Sequence, residues 1–260
     1  MMLGEVRAFL FVAGAVAGRQ IRKFFGSVAF LIPAAFPIFF FLAFAGGLSR
    51  VGEVPGFEFA AGYTAFQFVW ALLQAVAMGG AFTGFSIAGD FESGFARRFM
   101  LAAPRRSGII LGYVLASLVR TTFTGSLVFI VGIATGMQIL GTRIDMFGLI
   151  GLAVTVNVAA TLFGAGMAML FRTQQAGPLI QTPIFMLLFL SPVYVPFGLL
   201  EGWIRSIAAL NPITFILEAG RSLIAGDPAG IGPAFALGAA LIAVFAFWAM
   251  FALRRAERAG

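Results

Sequence analysis

Six long apolar segments constrain this chain more than any other feature of its sequence. Each holds about 20 residues with few charges, which is the length an α-helix needs to cross a bilayer core of about 30 Å. Hydrophobic residues make up 61% of the 260 residues and charged residues only 10%, with a mean hydropathy of +1.02. Because a soluble domain carries about 25% charged residues, we predict an all-α integral membrane protein with six transmembrane helices. The predicted spans are Ser27–Leu48, Tyr63–Ala88, Ile109–Met137, Met146–Phe171, Ala176–Leu199 and Ile231–Leu253.

No soluble domain, tandem repeat or low-complexity segment interrupts this pattern. We therefore predict that residues 1–260 form a single transmembrane domain, with the six-span bundle at 27–253.

Missing residue types exclude several functions. The chain has no cysteine and no histidine, which excludes disulfides, thiolate or imidazole metal ligands, and a histidine base. Its only lysine, Lys23, follows Arg22, whereas a phosphate-binding loop of the form GxxxxGK[ST] has glycine before its lysine. We therefore predict no catalytic site, metal or cofactor on this chain. If ATP drives it, a separate subunit binds the ATP.

The basic residues predict the orientation of the chain. Lys and Arg are enriched in cytoplasmic connections, and with the N-terminus inside, twelve lie on the cytoplasmic side against four outside. Both termini are therefore predicted to be cytoplasmic. The net charge of +7 then faces the anionic inner leaflet and cytoplasmic partners rather than nucleic acid. The twelve are Arg7, Arg19, Arg22, Lys23, Arg97, Arg98, Arg105, Arg106, Arg172, Arg254, Arg255 and Arg258; the four are Arg50, Arg143, Arg205 and Arg221.

The segment 5–25 precedes the first predicted span. Its apolar stretch, Ala8–Gly18, has eleven residues and is too short to cross a bilayer. We predict an interfacial helix at the inner membrane surface, with its basic end on lipid headgroups. The alternative is a signal peptide, because Ala15-Val16-Ala17 resembles a cleavage site. The basic residues of this predicted membrane-surface helix are Arg19, Arg22 and Lys23.

The connection 90–106, between predicted spans 2 and 3, has the charge order of a short helix. Acidic residues open it and basic residues close it, which suits the helix dipole, and Phe95 and Phe99 form an apolar face at i, i+4 spacing. A short amphipathic helix on the cytoplasmic side can dock into a groove on a partner. The alternative is a solvated loop that follows the positive-inside rule. The candidate residues are Asp90, Glu92, Gly94, Phe95, Arg97, Arg98, Phe99, Pro104 and Arg105.

The outer connection 192–226 precedes the last predicted span. A helical pattern begins after Asn211-Pro212 and ends near Ala225, which is too short to span. Irregular backbone at membrane depth is tolerated only inside protein or beside a water-filled cavity, so we predict a re-entrant pair of half-helices. The alternative is a surface loop with an interfacial tryptophan. The candidate residues are Pro196, Trp203, Asn211, Pro212, Thr214, Glu218 and Arg221, of which Glu218 and Arg221 are spaced to form an ion pair.

Three residues inside the predicted spans are candidates for a substrate path. Arg120 lies about eleven residues into span 3, where a charge costs at least about 2.5 kcal/mol, so we expect it to face protein or water and to attract an anionic headgroup or substrate. Alternatively, span 3 begins in the cytosol and Arg120 is shallower. Phe36 and Phe40 are spaced for an aromatic wall or for lipid-facing bulk.

Small-residue packing faces are predicted at Gly79, Gly80 and Gly84 on span 2 and at Gly132 and Gly136 on span 3.

Two motifs in these connections carry a family resemblance. Asp-x-Glu-x-Gly at 90–94, followed by Pro104-Arg105-Arg106 and Gly112, is similar to the coupling-helix region of type-2 ABC exporter permeases. The segment 203–226 resembles the C-terminal signature of that family, and Ser191 to Pro196 resembles its drug-resistance branch. The residues that match the signature are Trp203-Ile204, Asn211-Pro212-Ile213-Thr214, Arg221 and Gly226.

The resemblance implies a permease that dimerises and binds two ATP-binding cassette subunits, which carry ATP and Mg. The helix at 91–101 and the N-terminal helix would contact those subunits. Substrate, expected to be a hydrophobic or amphipathic drug, lipid or glycolipid, would pass along the homodimer interface by alternating access and leave near the re-entrant segment. Spans 1, 2 and 5 would build most of that interface. The arginine-rich composition further suggests a bacterial protein, placed in the cytoplasmic (inner) membrane.

Other functions remain open alternatives from the sequence. A polysaccharide exporter permease of the same family would need a wider, aromatic-lined conduit. An ion-coupled secondary transporter usually has acids or histidine inside its spans, and none lies near the middle of a predicted span here. A membrane-embedded enzyme would have few catalytic groups, since Asp90 and Glu92 are the only close acid pair. A scaffold or assembly protein is a further alternative.

Overall fold

The structure is a computed structural model that describes residues 2–26, 32–102 and 106–258. Within these ranges the secondary structure is helical and no strand occurs. The helices are α1 (Met2–Phe25), α2 (Ile32–Gly47), α3 (Gly62–Glu92), α4 (Phe95–Ala102), α5 (Ser107–Ala134), α6 (Arg143–Phe171), α7 (Gly177–Phe189), α8 (Gly202–Leu210), α9 (Pro212–Ala225) and α10 (Ile231–Arg258).

Four described helices are long and apolar enough to cross a membrane, which supports a multi-pass membrane protein. They are α3, α5, α6 and α10, and they coincide with predicted spans 2, 3, 4 and 6. Together, α8 and α9 are also long and apolar enough to cross a membrane, but the pair is bent by 85° at Asn211. The described residues therefore contain four spans, or five if the bent pair is one span.

The described helices within predicted spans 1 and 5 are shorter than a span, so the count of six is not confirmed. Helix α2 has 16 residues and α7 has 13, whereas a straight span needs about 20. Part of predicted span 1, residues 27–31, lies outside the described residues. Helix α7 ends at Phe189, shortly before Ser191-Pro192, because a residue that precedes proline is disfavoured in the α conformation.

Helix α3 lies at the centre of the fold. Of its most apolar stretch, 89% is buried, compared with 22% in α10. Glycines bring α3 against α6, since a Cβ built on Gly80 would lie 2.6 Å from the Thr161 nitrogen and one on Gly84 would lie 2.8 Å from the Gly164 oxygen. A Cβ on Gly79 would collide with Thr121 of α5. The predicted packing role of these three glycines is confirmed.

The turn between α5 and α6 corrects one glycine prediction. A Cβ on Gly132 would press on Met137 and Phe68, as expected for a packing contact. Gly136, in contrast, has no neighbour within 4 Å and has a φ of 83°. Its predicted packing role is therefore wrong, because it follows the end of α5 in a left-handed conformation that glycine adopts without strain.

The N-terminal helix α1 runs beside the first half of α5 in the same direction. A Cβ on Gly108 would meet Val12 at 3.2 Å, and one on Gly112 would meet Val16 at 2.5 Å. Further along, Phe24 lies beside Arg120 of α5. One face of α1 is therefore buried against a candidate spanning helix, and the predicted interfacial orientation is not confirmed.

Replacing Gly84 with alanine should destabilise the fold, because the new methyl group would have to push the backbone of α6 away. Overpacking of this kind costs about 1–3 kcal/mol, and we expect a lower midpoint of thermal unfolding in detergent. Gly14→Ala is the matched control, since nothing lies within 4 Å of that site in α1 and alanine is the better helix former. Equal stability of Gly84→Ala and wild type would contradict the close α3–α6 contact.

Candidate functional site

A network of polar side chains surrounds Asp90 near the end of α3, and we call it the Asp90 cluster (Arg19, Gln20, Lys23, Asp90 and Tyr113). The guanidinium of Arg19 donates two hydrogen bonds to the two Asp90 oxygens, each 2.9 Å long. Gln20 and Tyr113 both donate to Oδ2 at 2.8 Å. The Asp90 side chain is only 1% exposed, so its charge is balanced within the fold by a bidentate pair.

The Asp90 cluster connects three helices through a single carboxylate. Arg19 and Gln20 come from α1, Asp90 from α3 and Tyr113 from α5. Ser86 extends the network by donating to Gln20 Oε1 at 2.7 Å. Helices α1, α3 and α5 are thus fixed to one another at this end.

The predicted membrane-surface residues of α1 divide into two groups in this structure. Arg19 pairs with Asp90, and Lys23 Nζ lies 3.8 Å from Asp90 Oδ1 while its side chain stays 56% exposed. Arg22 is exposed and donates to the Gly18 carbonyl of its own helix. Arg22 is therefore the residue of the three that is left free to reach lipid headgroups.

The predicted short helix of the 90–106 connection is present as α4. It begins after Gly94, whose φ of 71° gives the sharp break from α3 that glycine permits. Its first residue, Phe95, receives the Arg19 guanidinium 3.7 Å above its ring and stacks on Phe99 with centroids 5.9 Å apart. Arg98 is exposed. The side chain of Arg97, and all of Pro104 and Arg105, lie outside the described residues.

Glu92, which the sequence grouped with Asp90, makes a different set of contacts. Its carboxylate accepts hydrogen bonds from the Thr173 hydroxyl at 2.7 Å, the Gln174 backbone at 2.9 Å and the Gln174 side chain at 2.8 Å. Glu92 is exposed and connects the end of α3 to the segment just before α7. The two acids therefore connect α3 to two different parts of the fold.

A second cluster surrounds Arg221 of α9 near the opposite end of α3. Arg221 is 2% exposed and lies 3.3 Å above the Phe66 ring. It donates to the Pro192 carbonyl at 2.7 Å and to Glu218 Oε1 at 2.8 Å. The Glu218–Arg221 ion pair predicted from the spacing is therefore present, with additional bonds to carbonyls that the sequence did not indicate.

The end of α7 and the segment after it are fixed to α3 by three further side chains. Gln67 donates to Val193 O at 2.9 Å and to the Tyr63 hydroxyl at 2.8 Å. Tyr63 donates to Tyr194 O at 3.3 Å, and Trp70 donates to Leu188 O at 3.1 Å. No pattern in the sequence pointed to Gln67 or Trp70, because their partners are backbone carbonyls about 120 positions away.

The candidates in the outer connection take up different environments. Asn211 caps α9 by accepting from the Ile213 backbone at 3.0 Å, and its amide donates to Leu187 O at 2.6 Å. Pro212 occupies the first turn of α9, where its missing N–H is not needed. Thr214 is buried, whereas Trp203 is 70% exposed on α8. Pro196 precedes the short 3₁₀ turn 197–199.

Phe36 and Phe40 belong to an aromatic cluster (Phe36, Phe40, Trp70, Phe185 and Phe189) between α2, α3 and α7. The Phe36 and Phe40 rings are 4.8 Å apart, and each meets one phenylalanine of α7 at 5.6 or 5.7 Å. Arg120 is not part of this cluster. Its aromatic neighbour is Phe24, with the guanidinium carbon 5.1 Å from the ring centroid.

A separate apolar cavity of about 350 Å³ lies between α3, α5 and α6. Its lining includes Leu72 and Val76 of α3 and Phe129 of α5. Leu72 is two positions from Trp70, so the cavity and the aromatic cluster lie on nearly opposite faces of α3.

Among the described residues, no group of three acidic, histidine or cysteine side chains is placed to hold a metal ion.

Apolar spanning helices with short, charged connecting segments define a polytopic membrane protein. A family model described as "ABC-2 type transporter" matches residues 12–225, which is most of the chain, so the chain belongs to that family. It is also similar to the daunorubicin resistance ABC transporter permease protein DrrB1 of Streptomyces coeruleorubidus. The two are 23% identical over 219 residues, which cover 83% of this chain and 75% of the relative. The resemblance to drug-resistance permeases seen in the sequence is thus confirmed.

Asp90→Asn should destabilise the protein much more than Glu92→Gln. Removing one partner of a buried ion pair costs about 3–5 kcal/mol, and we expect the lower end because the Arg19 side chain is 34% exposed. Glu92→Gln is the matched control, since Glu92 is exposed and the amide oxygen of glutamine still accepts hydrogen bonds. Chemical unfolding in detergent measures both changes. Similar losses in the two variants would mean that the Asp90 cluster does not hold α1, α3 and α5 together.

Proposed function

We propose that this chain is the membrane permease subunit of an ATP-driven exporter. It moves a hydrophobic or amphipathic substrate, such as a drug, a lipid or a glycolipid, out of the cytoplasm or inner leaflet. ATP and Mg bind to two copies of a separate ATP-binding cassette subunit. Family membership supports the class, and the similarity to a daunorubicin resistance permease supports a drug-like substrate.

The contact of α4 with the Asp90 cluster is the observation that carries this proposal. An eight-residue amphipathic helix is short enough to dock in a groove of a partner. Arg19 contacts the Phe95 ring and the Asp90 carboxylate at once. Force applied to α4 by closure of the ATP-binding subunits therefore reaches α1, α3 and α5 through rigid contacts.

Glu92 supplies a second connection, toward the substrate path. Its bonds to Thr173 and Gln174 lie just before Gly177, where α7 begins. A displacement of the α3–α4 corner thus pulls on α7, which carries Phe185 and Phe189 of the aromatic cluster. We propose that alternating access results from this movement in a homodimer.

The aromatic cluster fits the proposed substrate class. Its members are four phenylalanines and one tryptophan, whose indole N–H is already used by Leu188 O. Such a surface favours an apolar or aromatic substrate over a polysaccharide, which needs hydrogen-bonding partners as well as stacking. The substrate would pass along α2, α3 and α7 at the dimer interface and leave beside the bent pair α8–α9, near Trp203, Glu218 and Arg221.

We also propose the number of spans, the position of the re-entrant segment and the orientation of the chain in the membrane. Helices α2 and α7 count as spans 1 and 5 of a six-span bundle, and α8–α9 forms the re-entrant segment. Part of α1 lies at the inner interface, with Arg22 on lipid headgroups. Both termini are cytoplasmic, and the membrane is a bacterial inner membrane.

An ion-coupled transporter is less well supported by the geometry. Such proteins need a carboxylate that gains and loses its ion during the cycle. The buried acids among the described residues are Asp90 and Asp145. Asp145 caps the first turn of α6 together with Thr142. Asp90 is held by a bidentate guanidinium and by Gln20 and Tyr113. This carboxylate has a structural partner for each of its oxygens.

Co-purification tests the proposed class directly. We expect a tagged permease, gently extracted from its native host, to bring with it a stoichiometric protein that carries a Walker A motif. The control is an unrelated tagged membrane protein from the same host. Absence of any such ATPase, repeated after mild cross-linking in the membrane, would reject the exporter.

The role of α4 is tested by reversing one exposed charge. We expect Arg98→Glu to weaken ATPase co-purification at least about tenfold, which corresponds to about 1.4 kcal/mol of lost contact, while membrane insertion stays intact. Arg143→Glu is the matched control, because Arg143 is also an exposed arginine but begins α6 on the predicted outer side. Equal losses in both variants, or none in either, would remove α4 from the docking surface.

A further inference from the structure

Among the described residues two arginines, Arg120 and Arg221, are buried, and Arg19 reaches the buried carboxylate of Asp90. Arg19 has a bidentate carboxylate. Arg221 has Glu218 and three backbone carbonyls within hydrogen-bond distance. A buried charge is expensive unless it is paired and hydrogen-bonded, and these two satisfy that requirement. The third, Arg120, does not.

Arg120 is only 7% exposed, and its Nε atom is shielded from solvent without a hydrogen-bond partner. Across residues 2–26, 32–102 and 106–258 no group accepts a hydrogen bond from its guanidinium or forms an ion pair with it. Within these ranges the guanidinium contacts the Phe24 ring, with its central carbon 5.1 Å from the ring centroid. A cation–π contact at this distance compensates only part of the lost hydration.

The neighbouring polar groups are already used. The hydroxyls of Thr121 and Thr124 donate to carbonyls of α5 itself. Tyr113, two helical turns before Arg120, donates to Asp90, whose oxygens are occupied by Arg19 and Gln20. Within the described part of the chain, no acid is paired with Arg120 or free beside it, and we look for its counter-charge in another molecule.

We propose that Arg120 is an anion-binding site for the oxyanion, a phosphate or carboxylate, of an amphipathic molecule that inserts beside the C-terminal end of α1. The planar guanidinium presents a fork of donors that matches such an oxyanion. Apolar rings line the same place, since Phe25 of α1 meets Phe123 of α5 at 5.6 Å, and Arg22 and Lys23 are exposed at this end of α1. The site therefore combines a buried charge, apolar walls and a basic approach.

The oxyanion has two sources with the same chemistry, a phospholipid of the bilayer and an anionic substrate. If the oxyanion belongs to a phospholipid, the inference is independent of the proposed function, because a lipid can bind without transport. If it belongs to an anionic substrate, the inference rests on that function. The binding test below uses the permease without its ATP-binding subunit, so its result does not depend on whether the exporter proposal is correct.

The test measures thermal unfolding of the full chain in neutral detergent with added phosphatidylglycerol or phosphatidylcholine. A ligand that binds the folded state raises the unfolding midpoint. We expect phosphatidylglycerol to stabilise wild type more than phosphatidylcholine does, and Arg120→Gln to weaken the apparent affinity for phosphatidylglycerol at least about tenfold. Arg143→Gln, which removes an exposed charge on α6, is the matched control and should behave as wild type.

A second pair of probes separates the two sources. Dodecyl phosphate carries the oxyanion without the glycerol backbone, and dodecanol is its neutral counterpart. Stabilisation by dodecyl phosphate, together with competition against phosphatidylglycerol, indicates a site open to small anionic substrates. A response to phosphatidylglycerol alone indicates a lipid site. Both results require that the response is lost in Arg120→Gln.

Equal responses of wild type, Arg120→Gln and Arg143→Gln would overturn the proposal, as would equal stabilisation by the anionic and neutral lipids. If Arg120→Gln does not accumulate in the membrane, Arg120→Lys replaces it. Lysine keeps the charge but loses the fork, so we expect intermediate affinity. Unchanged affinity in Arg120→Lys would then reject a site built on the guanidinium.

Discussion

The interior of a bilayer offers no water to solvate a polar group, and most of this structure follows from that constraint. A polar side chain that enters the bundle is costly to bury unless another group forms a hydrogen bond with it. Helix α3 is the most buried helix, and it has polar side chains near both of its ends. At one end Asp90 gathers donors from α1 and α5. At the other end Gln67 and Tyr63 bond to the backbone after α7.

Between these two ends, α3 is held by close packing and by a hydrogen bond from α6. Glycines bring its backbone against that of α6. Asn157 of α6 donates to Val76 O at 2.9 Å and to the Ser117 hydroxyl at 3.0 Å. Since small-residue contacts and interhelical hydrogen bonds are what associate helices in lipid, α3, α5 and α6 form a rigid body. Helices α4 and α7, which transmit force in the proposed mechanism, are attached to its edges.

The sequence predicted those parts of the fold that depend on local patterns. Long apolar runs located α3, α5, α6 and α10, and charge order with i, i+4 phenylalanines located α4. It did not predict that α7 ends at Phe189, because a turn inside an apolar run leaves the hydropathy of that run unchanged.

Contacts between distant segments were also beyond a single sequence. Asp90 and Glu92 were grouped because they are neighbours, yet a two-residue step turns a helix by about 200° and directs their carboxylates to different partners. Tyr113, Gln20 and Gln174 are ordinary residues in sequence, and only the packing of α1, α3 and α5, or of α3 and the segment before α7, gives them a role. Glu218 and Arg221 were paired correctly because they lie on one helical face.

The distribution of polar contacts also indicates where the aromatic cluster can open. Both ends of α7 are fastened to α3, through Glu92 and Gln174 at one end and through Trp70 and Leu188 O at the other. Sliding α7 along α3 would break these attachments, and the buried Trp70 N–H has no water to replace the Leu188 carbonyl. Within the described residues, α2 meets the cluster through phenylalanine rings and shares no hydrogen bond with α3 or α7. Ring contacts tolerate displacement better than directional hydrogen bonds do. Opening should therefore separate α2 from α3 and α7, with α3 and α7 moving as one unit.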